Sequence, residues 1–138
     1  MSLREKIFCV LVSVSCFLFA QADLWRVNYV DDGKYEAGIL SGIPKDAGAS
    51  ISRKFEKQPE GTGFRLNAEG LEKEDLAVSI RGDEQIYIRA SADGQNSFVF
   101  NFDKLPDNLY EMRIYFNLQK RFTGELIKLK ITGMEFFQ

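Results

Sequence analysis

Histidine is absent from the 138-residue chain, and its only two cysteines, Cys9 and Cys16, lie within the first 20 residues. A Ser-His-Asp triad and a Cys-His pair both need an imidazole, which no residue supplies. If the leading segment is removed, zinc held by cysteine, haem ligation through a thiolate and a structural disulfide are excluded as well. Long apolar runs are also lacking. The longest, Ile7 to Phe19, falls short of the roughly 20 residues that a membrane-spanning helix needs, so no stable membrane insertion is expected. Nor is there an excess of positive charge. Eighteen basic residues against 20 acidic ones leave a net charge of −2, which argues against nucleic acid as a partner because phosphate binding draws on a basic surplus or a clustered basic face.

Residues 1–22 read as a cleaved secretory signal peptide. Arg4 and Lys6 form the basic start, Ile7 to Phe19 the apolar stretch, and Ala20-Gln21-Ala22 the small-x-small site before Asp23. A lipoprotein cut before Cys16 competes with this, but Ser13-Val14-Ser15 lacks the leucine such a site expects. Cleavage after Ala22 removes Arg4, Glu5 and Lys6, shifts the net charge from −2 to −3 and leaves 116 residues, 23–138, for a single domain. The expected location is secreted or periplasmic. No Asn-x-Ser/Thr site occurs to mark a eukaryotic secreted protein. The exported chain is expected to begin at or near Asp23 and to melt at the same temperature with and without reductant, since both thiols leave with the leader. An intact mass that retains Cys9 and Cys16, or a melting point several degrees lower on reduction, would overturn this.

What is present is period-two alternation. Trp25, Val27 and Tyr29 alternate with Arg26 and Asn28 up to the turn Asp31-Asp32-Gly33, and Phe64 and Leu66 flank Arg65. Leu76, Val78 and Ile80 precede Arg81-Gly82-Asp83, and Ile86, Ile88 and Ala90 follow it. Phe98, Phe100 and Phe102 form one run, Met112, Ile114 and Phe116 the next, and Ile127, Leu129 and Ile131 the last. Tyr35–Leu40 is a candidate eighth. Such runs, separated by Gly, Asp and Asn, predict an all-β protein: one antiparallel β-sandwich of about eight strands with little helix, immunoglobulin-like in plan. A single 3₁₀ turn fits Leu71–Leu76, where charges cluster between two leucines, and 41–50 and 57–63 read as loops.

Several motifs admit a functional and a plain reading. Arg81-Gly82-Asp83 matches an adhesive tripeptide, yet between two strands it reads as a hairpin turn in which glycine supplies positive φ and aspartate caps the bend. Asp31, Asp32 and Glu36 are spaced as a cation might want, but one turn rarely supplies the six or more oxygens of a calcium site. No cofactor or metal is expected. A hydrolase using paired carboxylates would need two acids that nothing in the sequence singles out. Lys120-Arg121, Lys128 and Lys130 form a basic stretch, the last two better read as the wet face of a strand.

Gly63-Phe64-Arg65-Leu66-Asn67-Ala68-Glu69-Gly70-Leu71-Glu72-Lys73-Glu74-Asp75-Leu76 and the strand through Ile80, then Gln85–Ala90, Leu105-Pro106 and Gly124-Glu125-Leu126-Ile127-Lys128-Leu129-Lys130-Ile131, follow a familiar order of strands and turns. On these residues the segment 63–131 resembles the α-crystallin domain of small heat-shock proteins. The resemblance implies an α-crystallin-like plan for the sandwich, as the alternative to an immunoglobulin-like one, and a non-enzymatic protein that holds unfolded clients. Glu69 stands where that family has proline, and 132–138 carries no Ile-x-Ile/Val tail motif for docking on a neighbouring subunit. The expected partner is a protein or client, with a glycan as the second candidate, and the chain is expected to be a monomer or dimer. Trp25, Tyr87, Ile127, Leu129 and Ile131 are the candidate binding surface, although core packing competes as the role of the three aliphatics and of Phe98, Phe100 and Phe102.

Overall fold

The computed structural model describes residues 24–116 and 124–138. The signal-peptide segment and Lys120-Arg121 lie outside the described residues.

Among the described residues eleven strands and one 3₁₀ turn follow one another: β1 Arg26–Asn28, β2 Val30–Glu36, β3 Ile39–Pro44, β4 Ser50–Lys54, β5 Gly63–Ala68, the turn Lys73–Asp75, β6 Leu76–Arg81, β7 Gln85–Arg89, β8 Ser91–Ala92, β9 Ser97–Asn101, β10 Glu111–Phe116 and β11 Ile127–Phe137. They form two antiparallel sheets, one ordered β1-β4-β10-β6-β7 and the other β2-β3-β11-β5-β9-β8. The alternation in each strand sends one set of side chains between the sheets. Ile51, Val78, Ile80, Met112, Ile114 and Phe116 from the first sheet meet Leu40, Phe64, Leu66, Phe98, Phe100 and Leu129 from the second in a single apolar cluster. This is the all-β sandwich that the periodicity predicts.

The chain closes both sides of the sandwich by switching sheets. At one side it leaves β1 and enters β2 through Tyr29, whose φ of 57° makes the bend, and at the other it leaves β7 and enters β8 through Ala90. The four edge strands are therefore β1, β2, β7 and β8.

Strand count is the main departure from the sequence reading: eleven among the described residues rather than about eight. The segment 41–50, read as a loop, holds most of β3 and the start of β4. Serine, glycine and proline hid the pattern there, and pairing with β2, β10 and β11 supplies the order that propensity does not. Asp31-Asp32-Gly33 does not end a strand. It is a bulge inside β2, since pairing with β3 resumes at Lys34↔Ser41 after Asp31↔Ile43, which leaves one extra residue on β2. Asp31 there lies 3.5 Å from Lys45, an exposed ion pair worth little. The 3₁₀ turn falls where the charges predict it, with the Glu72 N–H donating to the Asp75 carboxylate at 2.9 Å. Strand β11 runs past Ile131 through a bulge to Phe137, pairing first with β3 and then with β5. Among the described residues no helix is long and apolar enough to cross a membrane.

Candidate functional site

The sequence-selected residues separate. Ile127, Leu129 and Ile131 are 3%, 4% and 6% exposed and lie in the apolar cluster, while Lys128 and Lys130 point outward. Packing against the other sheet makes the face of β11 that carries them the inner one, so they are not presented as a binding surface. Trp25 is only 8% exposed, so its ring is packed and not presented for stacking on a sugar. Phe98, Phe100 and Phe102 are core. Tyr87 alone, at 58% exposure, stands on the surface.

Tyr87 belongs to the outer face of the first sheet. Cross-strand register there lines up Tyr87, Ser79, Arg113, Ser52 and Arg26 in one row, and Arg89, Ala77, Tyr115, Ser50 and Asn28 in the next. On β6 the outward residues next to Tyr87 and Tyr115, Ser79 and Ala77, are small and buried, and only Arg81 at the strand's end is exposed. The rings of Tyr87 and Tyr115 close over them, with centroids 6.1 Å apart.

The edge strand that carries Tyr87 has a simple hydrogen-bond order. Ala90 N–H donates to the Leu76 carbonyl and Gly82 N–H to the Glu84 carbonyl, and the pairs Val78–Ile88 and Ile80–Ile86 share that parity. Ile86 and Ile88 therefore turn their main-chain groups toward β6. Gln85, Tyr87 and Arg89 turn theirs toward the open side. Among the described residues β7 pairs only with β6. The other three edges are poor templates: β1 has three residues, β8 has two, and β2 is broken by its bulge.

At the opposite side of the same sheet a cleft of about 990 Å³ opens between β4, β10 and the segment 55–60. Its lining holds three arginines and two lysines against three glutamates. Arg26 and Arg113 flank the small Ser52 in the same row. Arg113 stands 3.9 Å from a Glu111 carboxylate oxygen, with its guanidinium carbon 5.9 Å from the centre of the Tyr115 ring. Arg53 packs its guanidinium carbon 4.6 Å from the centre of the Phe55 ring and 5.8 Å from that of Trp25. Among the described residues its buried Nε has no acceptor, nor has Trp25 Nε1, and burial lowers the guanidinium pKa from its usual value. Such orphaned donors cost about 1–3 kcal/mol each. Beneath the cleft, Phe136 packs edge-on against Phe55 at 5.9 Å and Phe64 at 5.1 Å. Sequence reasoning missed this site because Ile51, Arg53 and Phe55 make one alternating run in which the middle inward position is a cation.

The Arg81-Gly82-Asp83 tripeptide is a turn, as its position between strands predicts, but for a different reason. Gly82 does not adopt left-handed backbone. It is small because the β9–β10 connection passes against it: Asp83 N–H donates to the Asp107 carbonyl at 2.9 Å, and Asn108 Nδ2 donates to both Asp83 carboxylate oxygens at 3.1–3.2 Å.

No protein-family profile matches the chain, and no curated protein matches it in sequence. Its class is defined by the fold itself: a two-sheet antiparallel β-sandwich with one regular open edge and one arginine-lined cleft.

Proposed function

We propose that the protein is a non-enzymatic, exported β-sandwich that binds protein surfaces, holding extended segments of a client along the open side of β7 in the way that the α-crystallin resemblance implies. The observation that carries this reading is the edge itself. Five regular residues, Gln85–Arg89, present three outward main-chain positions, with no bulge, proline or lysine to discourage pairing. An extended segment would add as a sixth strand, gaining main-chain hydrogen bonds whatever its sequence, with half-buried Ile86 and Ile88 offering apolar contact at the rim. Export rests on the character of residues 1–22, and the monomer-or-dimer state on the small size of the domain.

A glycan-binding reading has one observation in its favour, the exposed Tyr87 beside Tyr115. Two substitutions at one position separate the readings. Tyr87→Pro removes an outward N–H that β6 does not use, a placement that edge strands tolerate. It is expected to leave the melting temperature within a few degrees and to cut suppression of a heated or reduced client's aggregation by about tenfold. Tyr87→Ala keeps the donor and should retain most of that suppression. If wild type suppresses nothing at stoichiometric ratios, the holdase reading falls. If Tyr87→Ala abolishes binding on a glycan array while wild type binds there, the surface belongs to sugar.

A further inference from the structure

We infer that the cleft beside β4 binds a carboxylate carried on an apolar body, the chemistry shared by the C-terminus of a polypeptide ending in an apolar residue and by a free organic acid of the same build. Charge and shape both point there. Arg26 and Arg113 stand on either side of buried Ser52, and no other outward side chain separates them in that row. Neither the Arg26 nor the Arg53 guanidinium has a hydrogen bond or ion pair among the described residues. Guanidinium groups match a carboxylate two bonds at a time. Leu24, Phe55 and Phe136 on the same lining offer apolar contact to the body of the ligand. The glutamates that share the wall disfavour a polyanion. Arg53 enters the same lining from the inward row of β4 and packs against both Phe55 and Trp25, which ties the cleft to the chain's single tryptophan.

That link supplies the readout. The exported protein is titrated with phenylacetate and with acetyl-Gly-Gly-Phe bearing a free C-terminal carboxylate, each against its amide, while Trp25 emission and heat of binding are followed. Saturable binding of the acids, at least about tenfold tighter than that of the amides, is expected. A tighter tripeptide acid identifies a polypeptide terminus as the source, and equal binding identifies the free acid. Arg113→Gln and Arg26→Gln should each weaken binding by about tenfold with the melting temperature held within a few degrees. Arg53→Lys, which keeps the charge but loses the fork, should weaken it as well. Tyr87→Pro, on the opposite edge of the sheet, should leave it unchanged whether or not client holding at β7 survives its own test. Equal binding of acid and amide, equal binding of inorganic phosphate, or flat traces in both measurements would overturn the proposal.

Discussion

Phe100→Ala is expected to lower the free energy of unfolding by about 3–5 kcal/mol, a large share of the roughly 5–15 kcal/mol that holds a domain of this size together. Phe100 has no exposed surface and lies 6.2 Å from the ring of Phe64. Phe64 touches Phe136, and Phe136 touches Phe55, so a chain of rings runs from β9 through β5 and β11 to the residue that follows β4. It joins the two sheets, and Phe55 is anchored to the first of them by its N–H donating to the Tyr110 carbonyl at 2.8 Å. Truncating the ring leaves a cavity that neighbours fixed in cross-strand register can fill only in part. The corresponding fall in Tm is on the order of 15 °C. Tyr87→Ala, on the exposed face, should change stability by less than about 0.5 kcal/mol. Thermal melts of both variants check this. A Phe100→Ala shift of only a few degrees would mean that the sheets are not held together by this ring chain.

Gly82→Ala is expected to cost about 1–3 kcal/mol, with Gly82→Val at or above the upper end. A Cβ at this position would collide with the Asp107 carbonyl oxygen and meet the Leu109 nitrogen at 3.0 Å. Both obstacles are main chain. They are held in place by the Asp83 to Asp107 bond and by Tyr110 N–H donating to the Arg81 carbonyl, each 2.9 Å. Relief would require breaking contacts between the β6–β7 turn and the β9–β10 connection. Urea unfolding should show a lower midpoint with an unchanged slope. A neutral Gly82→Ala would show that the two loops are free to separate, and would restore the picture of Arg81-Gly82-Asp83 as an independent loop tip.

The sequence by itself determined the fold class and most of the core. Period-two runs such as Phe98-Phe100 and Met112-Ile114-Phe116 are legible because one face of a strand must be apolar when one face of its sheet is buried. The 3₁₀ turn at Lys73–Asp75 was legible for a similar local reason, charges bracketed by two buried leucines. Strands β3 and β4 were not, because Ser41, Gly42, Pro44, Ser50 and Ser52 carry little strand preference and owe their order to the neighbours they pair with. The candidate sites divide along the same line. Alternation marks Ile127, Leu129 and Ile131 as one face of a strand but does not say which side of the sheet that face meets, and tertiary packing turned it inward. Only the order of strands made β7 an edge, and only register across three strands brought Arg26 and Arg113 to either side of Ser52. These are long-range facts. Local sequence encodes which face of a strand is apolar, whereas its place in the sheet depends on pairing partners dozens of residues away.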